Sequence, residues 1–158
     1  MTVATADRPA THSVGADVVP ALQSTLVELI DLSLLAKQAH WNVSGPLFKP
    51  VHEELDVIVE ISRTGADEVA ERIATLGDVP DGRAATVARS TPFDQPAAEI
   101  IPTQRAVALI GGILDDLTDR LHGRIAALAE PDPVSQGILI TIAEQLEKQA
   151  WMLRKQIP

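Results

Sequence analysis

The sequence contains no cysteine. Disulfides, thiolate metal sites and cysteine nucleophiles are therefore excluded, and any bound metal must be held by His, Asp or Glu, a donor set that points away from soft metals. Aromatic residues amount to 3%, so the core has to be built from Ala, Val, Leu and Ile, as packed helices allow. No uninterrupted apolar run has the roughly 20 residues needed to span a bilayer. The opening stretch MTVATADRPATHSVGAD lacks the apolar block of a signal peptide. A cytoplasmic protein with no membrane partner is expected. Basic residues are scarce as well: 13 Lys and Arg stand against 22 Asp and Glu, for a net charge of −9. A surface of that sign repels nucleic acid and attracts cations.

The 158 residues, 46% of them hydrophobic, suffice for one domain with a sizeable core. Residues 1–16 read as a polar, flexible arm, and residues 17–158 as a single helical domain. From Asp17, a candidate cap, to Asn42, the positions Leu22, Leu26, Leu29, Ser33, Ala36 and His40 recur in steps of three and four. Gly45-Pro46 breaks that helix. A second helix is expected from about Lys49 to Leu76, closed by Gly77. Residues 77–102 are rich in Pro and Gly and form a long crossover with room for a short helix over 83–89. Two further helices follow, Thr103–Ala129 and Val134–Gln156, with Gly111-Gly112 in the former marking a close helix contact. With no convincing strand, the fold class is all-α, a four-helix bundle with its long connection between the second and third major helices.

Only four histidines occur, and two of them bracket the first turn: HWNVSGPLFKPVHEELD, residues 40–56. His40 and His52 each lie six residues from Pro46. In an antiparallel hairpin they stand at one level and face each other. Asp56 follows His52 by four residues, Asp67 follows Asp56 by eleven, and Glu71 follows by another four. Those intervals keep all four residues of the second helix on one face, one residue away from its apolar stripe. Asp56 and Asp67 are nevertheless about 16 Å apart along the axis at about 1.5 Å per residue, whereas a metal–ligand bond is about 2.0–2.2 Å. One chain cannot bring both pairs to one metal. Two antiparallel copies related by a two-fold axis can, with His40, His52 and Asp56 from one subunit and Asp67 and Glu71 from its mate. Two imidazoles with three carboxylates suit Fe(II), Mn(II) or Zn(II), and the carboxylates favour Fe(III). Residue by residue, a histidine at a helix end and carboxylates along a helix face are more commonly just solvated.

The segments H-W-N-V-x-G-P-x-F at 40–48, V-H-E-x-x-D at 51–56 and A-D-E-V-A-E-R-I-x-x-L-G at 66–77 resemble the Dps family, the ferritin-like DNA-binding proteins of starved cells. The resemblance covers about residues 18–157. It implies a ferritin-like four-helix bundle assembled as a hollow homododecamer, with sites shared across the two-fold dimer interface. It also implies a ferroxidase that oxidises Fe(II) with hydrogen peroxide or oxygen and stores ferric oxide inside. By the same resemblance His40 and His52 are nitrogen ligands, Asp56 and Glu71 carboxylate ligands, and Asp67 a direct or water-mediated one. Trp41 stands where the family has a tryptophan beside the site, a trap for stray oxidising equivalents or an interface residue. Ferritins that use Glu-x-x-His within one bundle are a poorer match, because no histidine here has Glu three residues before it. D-D-x-x-D-x-x-H, 115–122, is a second candidate cluster, better read as a solvated helix face.

The resemblance also implies a pore lined by carboxylates near the start of the last helix, where Glu130, Asp132 and Glu144 are candidates and Gly137 stands where many members of the resembled family have an acidic residue. The alternative functional reading is a DNA-compacting, nucleoid-associated shell with secondary iron chemistry. The arm offers it only Arg8 and His12, and the C-terminus only Arg154 and Lys155.

Overall fold

The structure is a computed structural model that describes residues 15–157. Its elements are α1 (Val18–Asn42), β1 (Val43–Ser44), α2 (Phe48–Thr75), α3 (Ala84–Ser90), β2 (Ile101–Pro102), α4 (Thr103–Leu128) and α5 (Pro133–Arg154). The antiparallel hairpins α1–α2 and α4–α5 form the bundle, and the crossover carrying α3 joins them. The all-α bundle expected from periodicity is the fold observed. The one addition is a two-residue parallel pairing of β1 with β2, Val43 opposite Ile101, which ties the first hairpin turn to the end of the crossover. The arm expected over residues 1–16 lies, up to residue 14, outside the described residues.

Leu22, Leu29, Leu55, Ile58, Ile110, Leu114 and Leu139 are fully buried. Each such side chain contributes about 1.5–3 kcal/mol on burial. The crossover is held down by polar groups. On α1, buried Asp31 accepts from Thr91 Oγ1 at 2.5 Å and from Gln95 Nε2 at 2.9 Å. Buried Glu28 receives two bonds from Arg124 of α4, at 2.5 and 2.8 Å. By length and composition α1 would pass for a membrane span. Its apolar face is instead core, and its buried carboxylates are paired inside the bundle.

Asp17 precedes α1 without a side-chain capping bond, contrary to the expectation from sequence. Gly111 and Gly112 also differ from expectation, since a Cβ on either meets nothing within 4 Å in the chain. The tight contact lies at Gly65, where a Cβ would stand 3.2 Å from the Ile142 side chain. The missing side chain lets α2 pack closely against Ile142 of α5 there. The turn after α1 needs left-handed backbone at Gly45 (φ 105°) and at Leu47 (φ 63°), a conformation costing a non-glycine residue about 1–2 kcal/mol. Phe48 N donating to Gly45 O at 3.1 Å and Thr103 Oγ1 donating to Pro46 O at 2.6 Å hold it.

Candidate metal centre

That turn sets His40, in the last turn of α1, against His52, in the first turns of α2. Nδ1 of His40 donates to the carbonyl of His52 at 2.8 Å, and Nδ1 of His52 donates to the carbonyl of His40 at 2.9 Å. The rings stack with centroids 3.6 Å apart and planes 21° apart, and Phe48 flanks His52 at 5.0 Å. A carbonyl only accepts, so both protons must sit on Nδ1. In the neutral rings this leaves Nε2 with a free lone pair on each, the arrangement by which a backbone carbonyl orients an imidazole ligand.

Asp56, one turn beyond His52, places Oδ1 3.4 Å from His40 Nδ1 and forms an ion pair with Lys37 of α1. The Lys37 hydrogen bond holds the Asp56 carboxyl below its ordinary range. Partial burial opposes this, and the nearby charges of His40, Lys37 and His52 reinforce it. The group is therefore an anion over the whole neutral range.

Asp67 and Glu71 lie further along α2, both exposed. Helix rise puts Asp67 about 16 Å from Asp56, and among the described residues no three His, Asp or Glu side chains of one chain converge as a metal site. The structure thus stacks His40 on His52 and sets Asp56 beside His40, without gathering the three into a metal site within one chain, and leaves Asp67 and Glu71 apart. Trp41, next to His40, is 68% exposed.

Residues 19–158 match the family model for the ferritin-like domain. The DNA protection during starvation protein of Mycolicibacterium smegmatis is 40% identical over 138 residues, 87% of this chain and 75% of that protein. A Dps structure from Deinococcus radiodurans superposes with a TM-score of 0.86 at 33% identity, covering 88% of this chain and 84% of that one. A Dps of Microbacterium arborescens, described as being in a high-iron form, gives 0.84 at 33% identity over 95% and 96%. The chain belongs to the Dps branch of the ferritin-like family. At the level of that family, membership carries iron binding, iron storage, ferroxidase chemistry and assembly into multimeric shells.

In this Dps chain, reading the sequence missed Lys37. Its signal was present: Lys37 precedes His40 by three residues and so shares its face of α1. The second candidate cluster does not form a site. Asp115 Oδ1 takes a bond from Arg154 at 2.5 Å, and His122 Nε2 meets Glu147 Oε1 at 2.5 Å, so both are spent on α4–α5 pairs. Of the pore candidates, Glu130 and Glu144 are exposed, but Asp132 is 4% exposed. It caps α5 and receives two bonds from Arg72. Asp132 is a structural anion, not a free pore carboxylate. Gly137 is exposed, and a Cβ there meets nothing.

Proposed function

We propose that this Dps chain is a ferroxidase and iron store whose metal centre is completed between two subunits. His40 and His52 supply nitrogen through Nε2 and Asp56 supplies oxygen, while Asp67 and Glu71 come from the subunit across a two-fold axis. The observation carrying this reading is the reciprocal pair of Nδ1–carbonyl bonds. It supports reading both imidazoles as ligands, since it leaves Nε2 free of the carbonyl bonds on each ring beside an ionised carboxylate; His40 is buried and Asp56 exposed in the single chain.

Iron is the substrate. Two Fe(II) give up one electron each to hydrogen peroxide, the O–O bond breaks, and two protons from solvent complete two water molecules. Taking both electrons in one encounter avoids releasing hydroxyl radical; oxygen is the alternative oxidant. The carboxylates favour the product Fe(III), a harder cation than Fe(II). Lys37 has to leave Asp56 as metal arrives, so the metal-free centre carries its own counter-charge. Trp41, exposed beside His40, is placed to surrender an electron to stray oxidant. The ferric product is stored within a hollow homododecamer, whose acidic subunits attract Fe(II). A cytoplasmic setting fits this role.

DNA compaction finds less support. Arg154 is engaged by Asp115, and Arg8 and His12 lie outside the described residues. The test is anaerobic Fe(II) titration of metal-free protein, followed by peroxide with optical detection of iron oxidation. Saturable binding is expected, with two Fe(II) consumed per peroxide by the stoichiometry above, and His52→Ala is expected to slow oxidation by at least about tenfold in an intact shell. Equal rates for His52→Ala and wild type would sink the site.

A further inference from the structure

The two halves of the proposed ligand set are held in different ways. His40 and His52 fix each other's rings, and Lys37 holds Asp56. The side chains of Asp67 and Glu71 take part in no hydrogen bond among the described residues, so only the backbone of α2 aims them. Glu71 lies one turn from the end of that helix at Thr75, where helices ordinarily fray. A 20° roll of this turn, acting at about 6 Å from the helix axis, would move a ligand atom by about 2 Å, roughly one whole metal–ligand bond.

The next residue, Arg72, prevents such a roll. Its Nε donates to Ser135 Oγ at 3.0 Å, and its Nη2 donates to Asp132 Oδ1 at 2.9 Å and Oδ2 at 2.8 Å. Ser135 Oγ in turn donates to Asp132. Asp132 and Ser135 are buried, and they form the capped first turn of α5, with Pro133 at its first position. Three bonds from one planar guanidinium thus bolt the end of α2 to the start of α5. A fork of this geometry resists rotation as a single ammonium cannot. Successive helix residues are about 100° apart, so a fixed Arg72 sets the azimuth of Glu71, and of Asp67 one turn before it. The groove between the two helices is lined by Glu68, Glu71, Arg72, Val134, Gly137 and Thr141, so the clamp sits directly beside the ligand it would aim.

We propose that Arg72 is a positioning residue for the carboxylate half of the metal centre, acting through its clamp on Asp132 and Ser135. This rests on the reading of Asp67 and Glu71 as ligands completing a partner's site. The test uses the assembled protein and redox-inert Co(II), measured by anaerobic calorimetry and visible absorption well below the unfolding temperature. The double variant Arg72→Met/Asp132→Asn removes both charges, while Asn can still cap α5. Co(II) binding is expected to weaken about tenfold, as when a group orienting a metal ligand is lost, with a changed absorption band and a raised KM for Fe(II). Wild-type affinity and spectrum with only a lowered Tm would make the clamp merely structural and overturn the proposal. If the double variant does not assemble, Ser135→Ala, which removes one acceptor, decides instead. It should weaken Co(II) binding about two- to threefold, one hydrogen bond's worth, and unchanged binding overturns the proposal. Glu71→Gln separates the two readings. If it binds Co(II) like wild type, the site assignment falls and the clamp with it. If it weakens binding and the clamp variants do not, the clamp alone falls.

Discussion

Nδ1 of His40 donates to the backbone carbonyl of His52, and Nδ1 of His52 returns the bond to the carbonyl of His40. Two residues twelve positions apart therefore lock each other's tautomer without any third side chain. Each ring's hydrogen bond depends on the other's backbone, although the two rings also stack. His52→Ala should thus keep the bond from His40 to residue 52 while removing one proposed ligand and the ring stacked on His40, which makes it a probe of ligation.

On the proposed ligand set, Lys37 competes with metal for Asp56, with which it forms an ion pair. Lys37→Gln should tighten Fe(II) or Co(II) binding about two- to fivefold, the equivalent of about 0.5–1 kcal/mol for a partly exposed ion pair. Anaerobic titration of the two proteins side by side checks it. Weaker binding in the variant would mean that Lys37 supports the centre instead of occupying it.

Sites shared between subunits, as proposed, would make complementation possible. His52→Ala and Asp67→Asn, each impaired alone, should regain activity when unfolded together and reassembled. A mixed two-fold pair holds one site with both changes and one with neither, so the mixed pair should recover about half of its sites. No recovery in verified mixed pairs would argue against an inter-subunit centre.

Two glycines of helical backbone should respond in opposite ways. A Cβ at Gly137 meets nothing, so Gly137→Ala should stabilise by about 0.5–1 kcal/mol through helix propensity alone. At Gly65 a Cβ would stand 3.2 Å from Ile142, and Gly65→Ala should destabilise by about 1–3 kcal/mol through overpacking. Denaturant midpoints of the two variants measure both signs.

The Arg72–Asp132 pair should be sensitive to acid only at low pH. Burial works against the Asp132 charge, but bonds from Ser135 and Arg72 outweigh it and hold the carboxyl below its ordinary value of 3.8. A carboxylate depressed by folding contributes stability above its unfolded value and loses that contribution as pH falls through its folded value. Asp132→Asn should therefore cost about 3–5 kcal/mol at neutral pH, as when a buried pair loses one partner. The gap should stay level down to about pH 4 and narrow only below it. Urea midpoints across pH 3–7 test this, and a gap that closes by pH 6 would contradict it.

The sequence by itself determined the helices, because apolar positions three and four apart admit no other burial, and the Gly-Pro turn and the Pro-rich crossover mark where they stop. It also determined the level at which His40 and His52 meet, since equal distance from Pro46 is a matter of counting. The one-sided row from His52 to Glu71 follows from the 100° helical step in the same way. Counting could not supply the tautomers, because these depend on carbonyls brought within 3 Å by a turn whose left-handed residues at Gly45 and Leu47 carry no periodic signal. Lys37 was legible only in part: its place one turn before His40 follows from counting, but its ion pair with Asp56 across two helices depends on their separation and rotation, not on either helix alone. Asp132 was read as a pore carboxylate because the resemblance places acidic pore residues near the start of the last helix. Only the packing of α2 against α5, set by the bare surface of Gly65, brings Arg72 near enough to bury it. Periodicity is local and survives in one dimension; pairing, protonation and burial of polar groups are decided by neighbours that only the folded chain brings together.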